Sequence, residues 1–337
     1  MICHCETNNS NRILTFPQFR ALTPEMFECI KKYVQTAQKA QEHGIPISDL
    51  SLANIFMWNH YYNFQISKLD DFLIILSENS HQLNFYYPPL GPGNVKQAII
   101  KILNKSNELS YFQNQKPVFR RVYQGIVDQF LISDNYYEQK NDDGEISYIF
   151  PHFKIEPEIE HYDYVYLTED LVNISGRKYA KKRNHIKNFE KLYTYNYKKM
   201  VCDDVEQIAR IYEQWFSNKD GENSTGLIGE KQAIDFVFAN YKKFDLVCGG
   251  IAIDDKIEAF CIAERINPKI IVVKIEKANP NIPYLYSVLN NQFAKNQAEN
   301  CIYINREQDL GLPGLRQSKR SYNPHHMEKK YKIIPIP

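Results

Sequence analysis

The chain has 337 residues, 43% of them hydrophobic, so it is long enough for one large core or two ordinary ones. Its 41 lysines and arginines nearly balance its 40 aspartates and glutamates, and the net charge of +1 excludes a global attraction to nucleic acid or to an anionic membrane. Any polyanion must therefore bind at a local patch.

The N-terminus and the cysteines bear on where the protein functions. Residues 1–12 are polar, and the longest apolar runs, at 72–76 and 270–273, are far too short to cross a bilayer. The seven cysteines are scattered without CxxC spacing, which is typical of reduced thiols. We therefore expect a cytoplasmic protein. We also expect no metal, because the Cys-His-Cys run at 3–5 has no second ligand pair near it in the sequence.

The first half of the chain predicts a series of short helices and strands. Its first helix begins at Thr23, with a capping hydroxyl, a proline in the first turn and an acid at the positive end of the helix dipole. Gly91 and Gly93 stand just before another helix, where they could bind phosphate or simply form a turn. Apolar periodicity predicts strands at 61–66, 72–76 and 83–86, a helix at 94–103, a strand at 118–123, a helix near 126 and a strand at 162–167.

A strongly basic helix is predicted over 176–192. Its cations recur at i, i+4 and i+5 and make one face positive, which marks a local anion-binding surface on a nearly neutral chain. A solvated surface helix is the alternative. The residues that we predict to bind RNA or phosphate are Arg177, Lys178, Lys181, Lys182, Arg183 and Lys187.

After this helix the order of elements repeats. The pattern predicts a strand at 193–200, helices at 205–216 and 230–241, strands at 246–253, 257–264 and 270–276, a helix from 283 to 295, a strand at 301–304, a helix at 312–320 and a strand at 331–334. This is the element order of the GCN5-related N-acetyltransferase (GNAT) fold, and the first half follows it loosely.

We therefore predict an α/β (α+β) protein with a tandem duplication of the GNAT-like, acyl-CoA N-acyltransferase fold, in which mixed central sheets are flanked by helices. The predicted domains are an N-terminal GNAT-like domain at 1–168, a linking basic helix at 169–192, and a C-terminal GNAT-like domain at 193–337 that carries the active cleft.

The loop at 278–283 bears on the cofactor. In the GNAT fold the fourth and fifth strands separate to leave a cleft, and a glycine-containing loop offers backbone amides to the pyrophosphate of coenzyme A. The loop at 278–283 has two prolines and no glycine, and prolines remove amide donors. We therefore expect no cofactor, with acetyl-CoA or another acyl-CoA as the alternative.

Polar residues gather at both lips of the predicted cleft. Glu276 and Lys277 end its fourth strand, and the residues that follow its fifth strand or lie on and beyond the next helix are Asn305, Arg306, Glu307, Asp309, Arg316, Lys319, Ser321 and Tyr322. Acids there could hold or deprotonate a substrate amine, and the cations suit a phosphate, a carboxylate or an oxyanion. The alternative is a salt-bridged surface helix beside a solvated loop.

Several blocks of the sequence match a known family in order and spacing. They are Glu169-Asp170-Leu171 with Gly176-Arg177-Lys178, then 182–185, 276–278, the long run 305–316, and Lys319 with 321–324. In these blocks the chain resembles the C-terminal catalytic domain family of phosphatidylglycerol lysyltransferases, including its stand-alone soluble members of undefined function. The resemblance implies a tandem GNAT-like architecture related to the Fem-type aminoacyltransferases, which pass an aminoacyl group from transfer RNA to an acceptor.

The resemblance also implies roles for individual residues. Glu276, Glu307 and Asp309 would recognise the substrate amine, while Arg316 and Lys319 would steady the ester end and the terminal phosphate. These five form the predicted catalytic set. The predicted substrate-binding residues are Lys277, Asn305, Arg306, Ser321 and Tyr322.

Three functions compete at this point. The leading hypothesis is transfer of an aminoacyl group from aminoacyl-tRNA to an amine or hydroxyl acceptor, a lipid head group or a peptide. An acyl-CoA-dependent N-acyltransferase is the first alternative, and a non-catalytic binding module for a peptide or small amine is the second. Unlike the lipid-modifying members, the chain has no expected transmembrane region, which puts a lipid acceptor in doubt but leaves peripheral membrane contact open.

Overall fold

A computed structural model describes residues 12–40, 47–78, 84–106, 117–132, 134–200, 208–213, 225–298 and 300–336. The Cys-His-Cys run at 3–5 lies outside these ranges. The chain divides into two compact units, which consist of Met1–Tyr162 with Glu328–Pro337 (unit 1) and Asp163–Met327 (unit 2).

Unit 1 is built on a nine-stranded sheet. Its strands are β1 (Arg20–Ala21), β2 (Phe64–Leu69), β3 (Phe72–Ser77), β4 (Phe85–Tyr86), β5 (Phe119–Tyr123), β6 (Tyr137–Lys140), β7 (Ile146–Ile149), β8 (Phe153–Pro157) and β16 (Lys330–Pro335). They lie in the order β1-β2-β3-β4-β5-β16-β8-β7-β6. The described helices are α1 (Phe27–Ala40), α2 (Leu52–Met57), α3 (Asn59–Tyr62), α4 (Val95–Ser106) and α5 (Gln124–Leu131).

Apolar spacing explains the long helices of unit 1. Helix α4 buries Val95, Ile99 and Ile102 against the sheet, at the spacing that places side chains on one helix face. The N-terminus of α1 differs from the prediction, because a 3₁₀ turn precedes it and the Thr23 side chain makes no capping hydrogen bond. The predicted strand at 61–66 is also shifted, since α3 ends only at Tyr62.

Unit 2 is built on a seven-stranded sheet. Its strands are β9 (Asp163–Leu167), β10 (Tyr195–Met200), β11 (Leu246–Ile253), β12 (Lys256–Asn267), β13 (Ile270–Ala278), β14 (Tyr303–Asn305) and β15 (His326–Glu328), in the order β10-β11-β12-β13-β14-β9-β15. The bounded helices are α6 (Thr168–Asn173), α7 (Ala180–Leu192), α8 (Thr225–Asn240), α9 (Leu285–Gln297) and α10 (Pro313–Arg320). Within the described ranges, none of the helices combines the length and the hydrophobicity needed to span a membrane.

Two strands belong to a different unit from the one that the predicted domain boundaries gave them. Strand β9, expected to close the first half, pairs with β14 in the sheet of unit 2. The C-terminal strand β16, expected in the second half, lies between β5 and β8 in unit 1. The basic helix, expected to be a linker, lies wholly within unit 2. Strand pairing between distant segments depends on tertiary contacts, which local sequence patterns do not encode.

Candidate active site

A cleft opens in unit 2 where β13 and β14 separate. The two strands pair in parallel only over Ile270–Val272, and β13 then continues to Ala278 without this neighbour. Helix α9 covers the opening, and a small pocket there admits about one water molecule. The residues that line it are Leu171, Cys261, Val273, Glu276, Leu289, Asn290, Phe293, Ile304 and Arg306.

A β-bulge in β13 turns Glu276 into this cleft. The pairing with β12 skips Lys274, because Val273 and Ile275 face consecutive residues of β12. In a strand with strict alternation, Val273 and Glu276 would face opposite sides of the sheet. The extra residue restores them to one side, and both line the pocket under α9.

Glu276 is held by two side chains. Arg306 Nη2 donates to both carboxylate oxygens, at 3.3 and 3.0 Å, and Asn290 Nδ2 of α9 donates to Oε1. The side chains of Arg306 and Glu276 are only 9% and 14% exposed. Because the carboxylate is engaged on both oxygens, its direct effect in the structure is to fix the guanidinium of Arg306.

Arg306 is the central cation of the cleft. Burial alone would lower its pKa, but Glu276 and the surrounding tyrosines raise it above its ordinary value. Its Cζ atom lies 5.8 Å from the ring centroid of Tyr166 and 4.9 Å from that of Tyr322. Its Nη1 atom is buried and has no hydrogen-bond partner among the described residues. One nitrogen of the guanidinium is therefore left without a hydrogen-bond partner inside the described protein.

Lys182, on the basic helix, joins the same cluster. Its Nζ atom lies 3.6 Å from the ring centroid of Tyr322, in cation–π contact. Burial, followed by the charges of Arg306 and Lys181, lowers the pKa of Lys182 to about 8. The ring of Tyr322, itself buried, is thus shared by two cations.

Lys319 holds the loop after β14 in place. Its side chain is buried, and Nζ donates to the backbone carbonyls of Arg306, at 2.6 Å, and Gln308. Burial, and then the charge of Arg306, lowers the pKa of Lys319 to about 8. The contacts of this predicted catalytic residue fix the backbone that carries Arg306.

Asn305 and Glu307 also organise this loop. Asn305 is buried, donates from Nδ2 to Asp163 at 3.1 Å, and accepts the backbone N–H of Glu307 at 2.8 Å. Glu307 has a left-handed backbone with φ of 56°, and its carboxylate accepts from the buried Lys274 at 3.1 Å. Its charge is therefore engaged by the strand beneath the loop.

Asp309 is fixed by three neighbours in the same loop. It accepts hydrogen bonds from the Tyr164 hydroxyl at 2.7 Å, from Arg316 Nε at 2.7 Å and from the Gly311 backbone at 2.8 Å. Burial would raise its pKa, but Arg316, Tyr164 and the Gly311 amide together lower it. Asp309 and Arg316 thus form a closed pair that anchors the loop to β9.

Two predicted substrate-binding residues point elsewhere. Lys277 follows Glu276 in β13 and therefore faces the other side of the sheet, where Nζ donates to Glu230 of α8 at 2.8 Å. Ser321 is exposed, and its hydroxyl donates to the carbonyl of Ser318 at 2.6 Å. The predicted residues that the structure brings together are Glu276, Arg306, Tyr322 and Lys182.

The basic helix presents its cations on more than one side. The predicted helix begins later than expected, because Arg177–Tyr179 form a 3₁₀ turn and α7 starts at Ala180. Within α7, Lys181, Lys182 and His185 lie on one face. Arg183 lies off this face and donates to the carbonyls of residues 174 and 176, in the segment between α6 and the 3₁₀ turn, each at 2.6 Å. The exposed members of the predicted set are Arg177, Lys178, Lys181 and Lys187.

In the loop between β13 and α9, backbone N–H groups donate hydrogen bonds within the protein. The N–H of Asn279 donates to the carbonyl of Glu258 at 2.8 Å, that of Asn281 to the Asn279 side chain at 3.0 Å, and that of Ile282 to the Asn279 carbonyl at 3.2 Å. The remaining positions include two prolines, which have no N–H. Five of the loop's positions, three with bonded N–H groups and two prolines, therefore offer no donor to a pyrophosphate.

The GxG loop of unit 1 is likewise closed. A side chain at Gly91 would lie 2.5 Å from the carbonyl of Asp71, so packing explains this glycine. At the start of α4, the N–H of Lys96 donates to Gln129 and that of Gln97 to Asn94. Protein side chains therefore occupy amides that a phosphate would use.

Sequence reasoning missed the residues that complete the cluster. Asn290 binds Glu276, Tyr166 packs against Arg306, and Ser287 Oγ lies 3.1 Å from His185 Nδ1. Each contact joins two different elements of unit 2. The sequence carries no local signal for such contacts, because these residues otherwise fit the patterns of a buried strand or helix.

The architecture and the cleft define the class of protein. Two mixed sheets flanked by helices, with separated strands in unit 2, form a tandem GNAT-like fold, and the predicted fold class is confirmed. Residues 45–334 match the family described as phosphatidylglycerol lysyltransferase, C-terminal, so the chain belongs to that family. Family and fold together indicate an acyltransferase.

Three similar proteins show how far the likeness extends. A conserved protein of unknown function from Bacteroides thetaiotaomicron VPI-5482 is 27% identical, with a TM-score of 0.77 over 94% of this chain and 99% of that one. L-PGS from Bacillus licheniformis is 13% identical and shares the fold, with a TM-score of 0.58 over 94% of this chain and 92% of that one. An uncharacterized protein of Mycoplasmoides gallisepticum is 24% identical over 173 residues, 51% of this chain, and the match spans only 55% of that curated relative.

Proposed function

We propose that unit 2 transfers an aminoacyl group from aminoacyl-tRNA to an amine or hydroxyl of a second substrate, without a bound cofactor. The observation that carries the proposal is the loop between β13 and α9, in which three N–H groups bond within the protein and two prolines have none. An acyl-CoA enzyme of this fold needs those donors for pyrophosphate. An acyl donor activated as an ester of RNA needs none of them.

In the reaction that we propose, the ester that links the aminoacyl group to the RNA is replaced by an amide, with an amine acceptor, or by a new ester, with a hydroxyl acceptor. The acceptor nitrogen or oxygen attacks the ester carbonyl, a bond forms to the carbonyl carbon, and the bond to the ribose oxygen breaks. The proton lost by the acceptor passes to the ribose oxygen. Because the donor is already activated, holding both substrates in line supplies most of the acceleration.

The residues of the cleft have distinct parts in this proposal. Arg306 and Lys182 supply positive charge at the point where the carbonyl oxygen becomes negative. Glu276 and Asn290 position the guanidinium of Arg306. Lys319 fixes the loop backbone. Glu307 and Asp309 act in this scheme as supports of the loop, since each is engaged by a cation.

The acceptor belongs to one of two chemical classes. The family description names phosphatidylglycerol, so a lipid head group is the first candidate. A peptide amine is the second, because the fold is shared with Fem-type proteins. Supplying each acceptor in turn to the protein with aminoacyl-tRNA separates the two.

The basic helix supplies the surface for the RNA. Arg177 lies in the 3₁₀ turn over Arg177–Tyr179 and Lys181 in the first turn of α7, and both side chains are exposed and close in sequence, so both are available to the phosphates of one strand. Such binding should weaken steeply with salt, because each phosphate contact releases a counterion.

Retention of labelled aminoacyl-tRNA on a filter tests the proposal. We expect Arg177→Glu/Lys181→Glu to lose about tenfold or more in affinity. Lys191→Glu, an exposed change at the end of the same helix, is the matched control and should retain binding. Calorimetry with acetyl-CoA runs in parallel. Tight binding of acetyl-CoA with no retention of RNA would overturn the proposal in favour of acyl-CoA chemistry.

A further inference from the structure

Unit 1 contains an open cavity that shares no residue with the cleft of unit 2. Its volume is about 170 Å³, similar to that of a cavity that holds a benzene-sized molecule. The residues that line it all belong to unit 1. They are Gly144, Glu145, Ile146, Tyr148, Lys329 and Tyr331. The cavity therefore has room for a ligand, or a part of one, of about six non-hydrogen atoms.

The wall of this cavity is aromatic because side chains alternate along the strands. Ile146 and Tyr148 are two residues apart in β7, so their side chains leave the same face of the sheet. Strand β8 joins β7 to β16, and Ile155 of β8 is paired with both Tyr148 and Ile333. Tyr331, two residues before Ile333 in β16, therefore lies on that face as well. The faces of two tyrosine rings are suited to a cation.

The turn between β6 and β7 brings a carboxylate to the cavity. The N–H of Asn141 donates to the Glu145 carbonyl at 2.8 Å, and Gly144 takes the left-handed φ of 86° that closes the turn. The Glu145 carboxylate pairs with Lys329 at 2.8 Å, and these two side chains are 27% and 44% exposed. An ion pair this exposed contributes little to stability and opens at small cost. Glu145 is therefore available to another cation.

A buried hydroxyl beside the cavity has no partner. Tyr162 is 4% exposed, and its hydroxyl makes no hydrogen bond among the described residues. The ammonium of Lys329 lies 6.0 Å from the centroid of the Tyr162 ring. Burial, and then the charge of Glu145, raises the pKa of Tyr162. The hydroxyl thus lies close to both charged residues of the cavity, and a polar ligand there would satisfy it.

The charges near the cavity are mostly negative. Burial, and then Glu138 and further neighbours, raises the pKa of Tyr148. Burial, and then Tyr148 and Glu145, raises the pKa of Tyr331. Asp128 acts in the same direction on both hydroxyls. The cavity has one lysine on its wall against these three carboxylates, and it therefore favours a positively charged ligand.

We propose that this cavity of unit 1 binds the primary ammonium group of a small alkylamine. The ammonium N–H groups donate to the Glu145 carboxylate and to the hydroxyl oxygen of Tyr162, while the alkyl part packs against the aromatic wall. Lys329 turns to solvent when the ligand takes its place at Glu145. The site goes beyond the proposed aminoacyl transfer and does not rest on it.

Calorimetry on the full chain at pH 7 tests the inference. The probes are n-butylammonium, n-butanol and butyrate, which have similar alkyl chains and differ in charge. We expect n-butylammonium to bind about tenfold or more tightly than either of the others, because it alone brings a cation to the carboxylate and the ring faces.

Two variants should change the affinity for n-butylammonium in opposite directions. Glu145→Gln should weaken binding about tenfold or more, because the charged acceptor is lost. Lys329→Met should strengthen it about twofold to fivefold, because the competing ammonium is removed. Asp70→Asn and Lys101→Met, at another exposed ion pair of unit 1, are the matched controls and should leave the affinity unchanged. Thermal melting checks that every variant folds.

The inference is overturned if n-butylammonium binds no more tightly than n-butanol, or if Glu145→Gln binds it as tightly as the wild-type protein. Tighter binding of butyrate, weakened in Lys329→Met, would also overturn it and would make the cavity an anion site. If Glu145→Gln does not fold, Tyr162→Phe takes its place. That variant should bind n-butylammonium about threefold or more weakly, because the hydroxyl oxygen is lost.

Discussion

Both units bury a cluster of charges, and in unit 1 the buried arginine and lysine are each paired with a carboxylate, although His161 Nδ1 beside them has no hydrogen-bond partner among the described residues. In unit 1, Arg121 binds Asp49 at 3.2 Å and Glu158 at 3.1 Å, and its backbone N–H also donates to Glu158. Arg120 adds a bond of 2.6 Å to Glu158, and the buried Lys330 donates to Asp49. Burial would raise the pKa of both carboxyls, yet these cations hold the pKa values of Asp49 and Glu158 below their ordinary range.

The cluster of unit 2 differs in its balance. Arg306 has one carboxylate partner, an unused N–H and a neighbouring lysine that packs on an aromatic ring. A cluster whose cations are paired rigidifies a core, whereas a partly paired one at an opening is poised for a ligand. The comparison therefore assigns the buried charges of unit 1 to structure and those of unit 2 to binding.

The largest effect should follow from breaking the cluster of unit 1. Glu158→Gln removes the charge that pairs with Arg121 and Arg120 while keeping the shape. We expect a loss of about 3–5 kcal/mol in the free energy of unfolding, because a buried cation is left uncompensated. Urea denaturation measures it. Lys101→Ala, at an exposed pair with Asp70, is the control and should cost less than about 1 kcal/mol. Equal losses in the two variants would refute a structural role for the cluster.

The equivalent substitution in the cluster of unit 2, Glu276→Gln, should lower activity more than stability. In Glu276→Gln the guanidinium of Arg306 loses its ionic partner but keeps its contacts with two tyrosine rings. We expect turnover to fall about a hundredfold through misplacement of Arg306. The loss in unfolding free energy should be smaller, about 1–3 kcal/mol. Single-turnover kinetics and urea denaturation of one preparation give both numbers, and a large stability loss with normal turnover would reverse the assignment.

Helices and strands could be predicted from the sequence where the spacing of apolar residues is regular. Helix α9 was expected at 283–295 and spans Leu285–Gln297, and β13 was expected at 270–276 and spans Ile270–Ala278. The hairpin of β6 and β7 was missed, although Asp143-Gly144 between two short strands is a hairpin signal. Its strand β6 is fully exposed and lacks the apolar alternation that marks a strand.

The candidate site could be predicted only in part. Spacing placed Glu276 and Arg306 at opposite lips of one opening, and the structure joins them in an ion pair. Sequence could not separate Glu276 from Lys277, since the bulge at Lys274 depends on register with β12. Nor could it show that Glu307 and Asp309 are engaged by Lys274 and Arg316, because those contacts form only when the loop folds.

The burial of Lys182 in unit 2 should make the free energy of unfolding depend on pH. Burial lowers the pKa of Lys182 to about 8, against about 10.4 in an unfolded chain. Between these values the unfolded chain binds a proton that the folded chain lacks, so stability rises with pH. We expect Lys182→Met to remove about 1 kcal/mol of the rise between pH 8 and 10, after allowance for partial exposure. Urea denaturation across this range measures it, and an identical rise in both proteins would contradict the burial of Lys182.

The smallest effect should come from the neighbour of Glu276. Lys277 faces the opposite side of β13 and binds the partly exposed Glu230. We expect Lys277→Met to leave turnover within about twofold and to cost at most about 1 kcal/mol of stability, because Glu230 can turn to solvent. Two adjacent residues of one strand would then differ about fiftyfold or more in their effect on turnover, and the bulge at Lys274 explains why. Equal losses for Lys277→Met and Glu276→Gln would mean that the register of β13, on which the cleft depends, is different.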